Sequence, residues 1–120
     1  MLLLPGEEAL IRHAHGFTVG KSAEGRTYAV CEGTCRRKER PFACRIYPLV
    51  LWKKEDKLYV TIDPRAKYRC PLLKAREYID RDFVRALRRA GKILMDDPEG
   101  SAFLDMLAEE LEAYRRFTGM

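Results

Sequence analysis

Four cysteines, the softest ligands a polypeptide offers, fall within forty consecutive positions at Cys31, Cys35, Cys44 and Cys70. Thiolate suits zinc, iron–sulfur clusters and cuprous copper far better than calcium or magnesium, and four thiolates close a tetrahedral shell. The spacing is C-x3-C-x8-C-x25-C and lacks the paired C-x2-C knuckles of zinc ribbons and fingers. It therefore points to a metal without naming one. Cys70 is followed by Pro71, as the last cysteine of bacterial cluster-binding runs is followed by proline. Between Cys31 and Arg45 stand Arg36, Arg37, Lys38, Arg40 and Arg45 against Glu32 and Glu39. Cations so placed lower thiol pKa and offset the formal charge of about −2 on a four-thiolate centre. Arg40 and Arg45, nearest the third cysteine, are the expected supports of the site.

The segment CRRKERPFACRIYPL, residues 35–49, resembles the C-x-x-x-x-R-P-x-x-C-R-x-[YF]-P core of the YkgJ-like, or CxxCxxCC-type, cysteine-cluster family, whose members are described as zinc- or iron-chelating domains. The resemblance implies that Cys35 and Cys44 are ligands, that Arg40 and Pro41 are the family's RP, and that Arg45 and Pro48 belong to its CR-x-x-P. Cys31 and Cys70 look like further members of the cluster. Most such proteins have a cysteine-rich segment near the amino terminus, and no cysteine precedes Cys31 here. A family site with more ligands would then be reduced to four, still enough for one centre.

The bulk numbers suit that reading. A chain of 120 residues with 47% hydrophobic and 34% charged residues is expected to form a single domain over 1–120, able to bury one core without disulfides. No apolar run is long enough to span a bilayer, and no targeting segment is visible. The thiols are expected in a reducing cytoplasm, where clustered cysteines serve as metal ligands or redox centres. The net charge of +5 permits acidic partners without demanding them.

The elements that must position the cysteines can be read in order. Residues 2–4 read as a short strand ended by Pro5-Gly6, and 7–11 as a helix with acids in its first turn. His13 and His15 leave that helix in an R-H-A-H-G run, an exposed or capping pair rather than part of the site. Runs 17–19 and 27–30 form a hairpin that delivers Cys31 at the end of its second strand, and Gly33 and Thr34 turn the chain toward Cys35. Runs 49–53 and 58–62 flank KEDK as a second hairpin. The loop from Asp63-Pro64 is expected to return Cys70 to the cluster. Beyond it, Phe83, Leu87, Ala90 and Leu94, with Val84, Ala86 and Ile93 alongside, form one apolar stripe. After a break with Asp97 as cap and Pro98 at the first helical position, Phe103, Leu104, Leu107, Leu111 and Tyr114 form a second. The expected fold is α+β, with hairpins and a cysteine-rich loop over 1–72 packed on an antiparallel helix pair within 73–120.

Two further functions can be weighed. Arg81, Arg85, Arg88 and Lys92 recur at helical spacing, with Arg89 nearby, and offer a surface for phosphates or an acidic protein. Glu77, Asp82, Glu109 and Glu112 are placed to balance them, and no nucleic-acid-binding signature is present. Catalytic triads, phosphate loops and dinucleotide fingerprints are also absent from the sequence. The expectation is thus one four-cysteine centre per chain, with a [4Fe-4S] cluster slightly favoured over Zn2+. Any chemistry would be redox or electron transfer at that centre rather than catalysis by the chain alone. The alternative is a structural zinc domain that binds protein or nucleic acid through its basic surface.

Overall fold

The computed structural model describes residues 1–66 and 80–118. They form two compact units, Met1–Arg45 and Ile46–Met120. Each is a small assembly of antiparallel hairpin and helix, so the architecture is α+β.

In the first unit, helix α1 (Glu7–Ile11) carries Glu7 and Glu8 in its first turn and buries Ile11. Strands β1 (Phe17–Lys21) and β2 (Thr27–Cys31) pair antiparallel, with Phe17 opposite Cys31 and Lys21 opposite Thr27. The expected strand at residues 2–4 is a single bridge, Leu2 to Tyr28, on the other edge of β2. Leu3 N–H donates to the Thr27 carbonyl at 3.0 Å, and Ala29 N–H to that of Met1 at 2.9 Å. The strand alternation turns Phe17 and Ala29 inward, where they meet Leu3 and Ile11 in one apolar cluster. Met1, Ala14, Val19 and Cys35 pack against it.

A 3-10 turn at Arg37–Glu39 leads to a second short helix, α2 (Phe42–Ile46). The sequence pattern gives only a loop for this stretch, because five residues are too few to display a helical period. Its one local signal is Pro41, which suits the start of a helix and is fully buried.

In the second unit, β3 (Leu49–Lys54) and β4 (Lys57–Ile62) form a hairpin in which Leu49 faces Ile62 and Lys54 faces Lys57. Leu49, Val50, Leu51 and Trp52 are all buried, while β4 stays half-exposed, so β3 carries the core of this sheet. Helices α3 (Arg81–Asp96) and α4 (Pro98–Thr118) pack on the hairpin and on each other. The caps follow the sequence: Asp80 accepts from Asp82 N–H at 2.9 Å, and Asp97 from Gly100 N–H at 2.9 Å. Phe103, Leu104, Leu107 and Leu111 are buried as the periodicity of α4 requires.

The stripe on α3 is narrower than expected. Leu87 and Gly91 are buried, but Phe83 is 40% and Ile93 71% exposed, and Ala86 is exposed as well. At 3.6 residues per turn Ile93 lies roughly 120° around the helix from Leu87, beyond the edge of a single packed stripe. At the end of β4, Asp63 is buried and held by Arg65, which donates to its carboxylate from Nε, Nη2 and the backbone at 2.7 to 3.2 Å. The strength of that contact raises the Arg65 pKa, through the hydrogen bond to Asp63 first.

Candidate metal centre

Three of the four cysteines belong to the first unit, and a different stretch of local structure places each of them. Cys31 ends β2 and is exposed. Two contacts from the following residue tie the next loop to the hairpin: Glu32 N–H donates to the Gly16 carbonyl at 2.8 Å, and Glu32 Oε1 accepts from the Thr18 hydroxyl at 2.6 Å. Gly33, in the left-handed region with φ of 103°, then reverses the chain. Cys35 follows, half-buried against the apolar cluster of the unit.

Cys44 arrives by another route. It lies in α2, where its N–H donates to the Pro41 carbonyl at 3.0 Å. The start of α2 is fixed by Glu7: Oε2 accepts from Phe42 N–H at 2.8 Å while Oε1 accepts from Leu4 N–H at 3.0 Å. One carboxylate thus satisfies an amide that the first turn of a helix leaves over and joins α2 to the amino-terminal segment. Nothing in the sequence flagged this role for Glu7, since its partner lies thirty-five residues away.

Arg40 reaches one of the thiols directly. Its Nε donates to Cys35 Sγ at 3.3 Å, and Cys44 and Cys31 also act on its charge. The hydrogen bond to Cys35, followed by the attraction of that sulfur, raises the Arg40 pKa. Burial pushes the Cys44 thiol up, Arg40 pulls it down, and Cys35 and Cys31 push it up again as like charges. Cys31 and Cys35 therefore act electrostatically on Cys44, and all three sulfurs on one guanidinium. All three are free thiols.

Arg45 does something different from what its place beside Cys44 suggests. Its Nε donates to the Arg40 carbonyl at 2.8 Å and its Nη2 to that of Lys38 at 2.6 Å. It braces the backbone that carries Arg40, and the recorded contacts of its guanidinium are to carbonyls. His13 and His15 are exposed. Cys70 lies outside the described residues.

Soft sulfurs beside a cation are the donor chemistry that a thiophilic metal or cluster would take. The spacing is looser than coordination requires: among the described residues no group of three His, Cys, Asp or Glu side chains stands close enough together to hold a metal ion.

Elsewhere, the basic row on α3 is displayed to solvent, with Arg81, Arg85, Arg88, Arg89 and Lys92 all exposed. Asp82 approaches Arg85 at 3.8 Å, as the spacing suggested. Glu112, however, pairs within its own helix with Arg115 at 3.7 Å. Among the described residues Arg81, Arg88 and Lys92 have no acid within ion-pair distance; Glu77 falls outside them. No helix among the described residues is long and apolar enough to cross a membrane.

Searches against protein-family models, curated proteins and solved structures return no match to this chain.

Proposed function

We propose that this protein holds one thiolate-ligated metal centre, with Cys31, Cys35 and Cys44 as the ligands from its amino-terminal unit. The observation that carries the reading is the guanidinium of Arg40, hydrogen-bonded to Cys35 Sγ and acted on by the charges of all three sulfurs. Thiols brought together repel once ionised, so a cation among them is what such a grouping favours. Cys70 remains the fourth ligand on sequence grounds alone. The resemblance of residues 35–49 to the YkgJ-like core supports the same assignment, and with it a reducing, cytoplasmic setting.

Loading requires the sulfurs to move closer, and the turn at Gly33 and Thr34, exposed and between two of the cysteines, is the segment placed to do it. A [4Fe-4S] cluster is favoured slightly over Zn2+ by the irregular spacing and the Cys-Pro ending. The cluster would supply one-electron redox chemistry; zinc in a closed four-sulfur shell would serve structure. This chain's contribution is to gather the thiols, hold Arg40 beside them and keep Cys35 against an apolar wall.

The test is metal analysis and absorption spectroscopy on protein purified without oxygen, with Cys44→Ser in parallel. About one centre per chain is expected. Visible thiolate-to-iron absorption with acid-labile sulfide selects the cluster, and colourless stoichiometric zinc selects the structural site. Absence of both, or undiminished metal in Cys44→Ser, refutes the assignment.

A second reading rests on the exposed row Arg81, Arg85, Arg88 and Lys92, whose excess of positive charge suits an acidic protein or a phosphate backbone. Binding to anionic polymer should then fall steeply with salt. If no binding occurs at low salt, the row is solvated surface.

A further inference from the structure

Of the sixteen residues of α3 only Leu87 and Gly91 are buried, so the helix forms a ridge on the second unit with much of its circumference in solvent. Advancing about 100° per residue, Arg88, Arg81, Lys92, Arg85 and Arg89 fall in that order within one arc about 100° wide. All five are exposed. Along the axis the row runs from Arg81 to Lys92, roughly 16 Å at ~1.5 Å per residue. Asp96 shares the arc one turn beyond Lys92, and Asp82 borders it, 3.8 Å from Arg85. Arg81, Arg88 and Lys92 have no acid within ion-pair distance among the described residues.

The shape and composition of this arc narrow what can bind. Cations strung along a convex ridge do not converge on a point, so they make no pocket for a single small anion. A partner that meets several of them at once must carry its own charges in a line. The arc also lacks apolar residues: Phe83, Ala86 and Ile93, exposed on the same helix, all fall outside it. A stable protein interface has a desolvated apolar or aromatic centre, which this face cannot supply. A membrane surface takes up the apolar side of a helix, and that side of α3 packs on α4 and the hairpin. Single strands are held by stacking on aromatic side chains, again absent from the arc. A duplex backbone needs none of these, because neutralising its phosphates releases counterions whatever the sequence. Four of the five cations are arginines, whose forked guanidinium matches phosphate oxygens better than an ammonium does.

We propose that the outer face of α3 binds the phosphate backbone of duplex DNA without regard to sequence, through Arg81, Arg85, Arg88, Arg89 and Lys92. This rests on the second reading above and chooses between its two partners. At ~3.4 Å per phosphate along one strand, the row spans about five phosphates. Binding of this kind requires no recognition motif.

The experiment is fluorescence anisotropy of the full chain with a labelled duplex of about 20 base pairs, one of its single strands, and polyglutamate, over about 50 to 200 mM salt. The duplex should bind most tightly, and log Kd against log salt should have a slope of magnitude ~3–4, the value for about four phosphate contacts. Arg88→Gln combined with Lys92→Gln should lower that slope by ~2 and weaken binding at about 50 mM salt by ~10-fold or more. Lys21→Gln combined with Lys57→Gln, at two exposed strand positions, removes the same charge elsewhere and should change the slope by less than ~0.5. All four side chains are exposed, so both variants should keep the fold, which circular dichroism checks. Equal losses in the two variants, or tighter binding of the single strand, overturn the proposal. Tighter binding of polyglutamate overturns it while leaving the second reading standing; no binding of any probe at low salt overturns both.

Discussion

Replacing Gly16 by alanine tests how the cysteine loop is held. Gly16 has φ of 88°, and a Cβ built there would lie 1.7 Å from the Thr34 carbonyl oxygen, 2.8 Å from its carbon and 3.2 Å from Cys35 Cα. The left-handed backbone alone costs an alanine ~1–2 kcal/mol. The overlap is with backbone, which cannot rotate away as a side chain can, so the loop must move as a body or the hairpin must open. Overpacking of that kind costs ~1–3 kcal/mol. The Glu32 N–H to Gly16 carbonyl bond, at 2.8 Å, would go with it for a further ~1 kcal/mol. The sum is ~3–6 kcal/mol, a large share of the stability of a small fold. Gly25 is the control: its φ is 82° and nothing lies within 4 Å of a Cβ there, so Gly25→Ala carries the backbone cost without the collision. Guanidinium unfolding by circular dichroism gives the two stabilities, and the rate of thiol modification in a Cys70→Ser background reports the exposure of the loop. The sole tryptophan, Trp52, lies in the second unit, so its fluorescence follows that unit separately. If Gly16→Ala and Gly25→Ala agree within ~0.5 kcal/mol, the close approach of loop to hairpin is not what holds Cys35 in place.

Other perturbations probe the remaining contacts. Arg40→Gln removes the donor to Cys35 Sγ and should weaken metal retention by ~10–100-fold against a competing chelator, as loss of an outer-sphere partner does; unchanged retention would remove Arg40 from the site. Glu7→Gln keeps one acceptor oxygen of two and should destabilise the first unit by ~1–3 kcal/mol, read from its unfolding midpoint. Gly91→Ala places a Cβ 2.2 Å from Leu58 Cδ2 and 3.1 Å from Leu51 Cδ2. It should therefore lose ~1 kcal/mol or more despite the better helix propensity of alanine, and the loss should shrink when Leu58 is also cut to alanine. Asp63→Asn leaves Arg65 without its carboxylate and should cost ~1–3 kcal/mol, discounted because the Arg65 side chain is 40% exposed; the shift of the Trp52 fluorescence transition measures it.

What could be read in the sequence was what local chemistry encodes. β-rich runs at 17–19 and 27–30 around a glycine-flanked loop placed the first hairpin and alternation over 58–62 the second, and Asp97-Pro98 marked the break between α3 and α4 because cap and first-turn residues act within a few positions of themselves. The helix stripes were legible for the same reason, although α3 shows the limit: periodicity ranks the apolar residues on a helix but does not say how wide a face its neighbours cover, and Ile93 falls outside it. Proximity in the chain suggested a grouping of Cys31, Cys35 and Cys44, and among the described residues the structure gives a direct contact between Arg40 and Cys35 only. Proximity did not suggest the distribution of the arginines. Arg40 and Arg45 are both close to Cys44 in the chain, yet one turns to a sulfur and the other to two carbonyls, a choice made by the path of the chain between Lys38 and Pro41. The role of Glu7 depends on a contact between segments thirty-five residues apart, for which a single sequence contains no signal.

The division of labour between those two arginines bears on how a thiol site can be both assembled and adjustable. Arg45 commits its hydrogen bonds to the backbone at Lys38 and Arg40, and Glu7 commits both of its oxygens to backbone amides, so the frame that presents Arg40 and Cys44 is fixed by charged groups acting on main chain. Main-chain partners do not change with the state of the sulfurs. Arg40 is then the one charged side chain of this frame whose partner is itself a candidate ligand, and it faces that ligand through Nε alone. The other two cysteines approach along segments of different character, Cys31 exposed at a strand end and Cys44 half-buried in a helix. Closing the group around a shared centre thus falls to the exposed turn of Gly33 and Thr34, while α2 stays put. On this argument truncating Arg45 and stiffening the turn should give opposite symptoms. Arg45→Ala should lower stability by ~1–3 kcal/mol through two lost carbonyl contacts, with whatever molecules remain folded still loading metal. Gly33→Ala, at φ of 103° with nothing within 4 Å of its Cβ, should cost ~1–2 kcal/mol in backbone strain and slow loading out of proportion to that loss. Metal uptake followed by stopped-flow absorption, normalised to the folded fraction, separates the two; equal uptake rates would show that the turn is not the moving part.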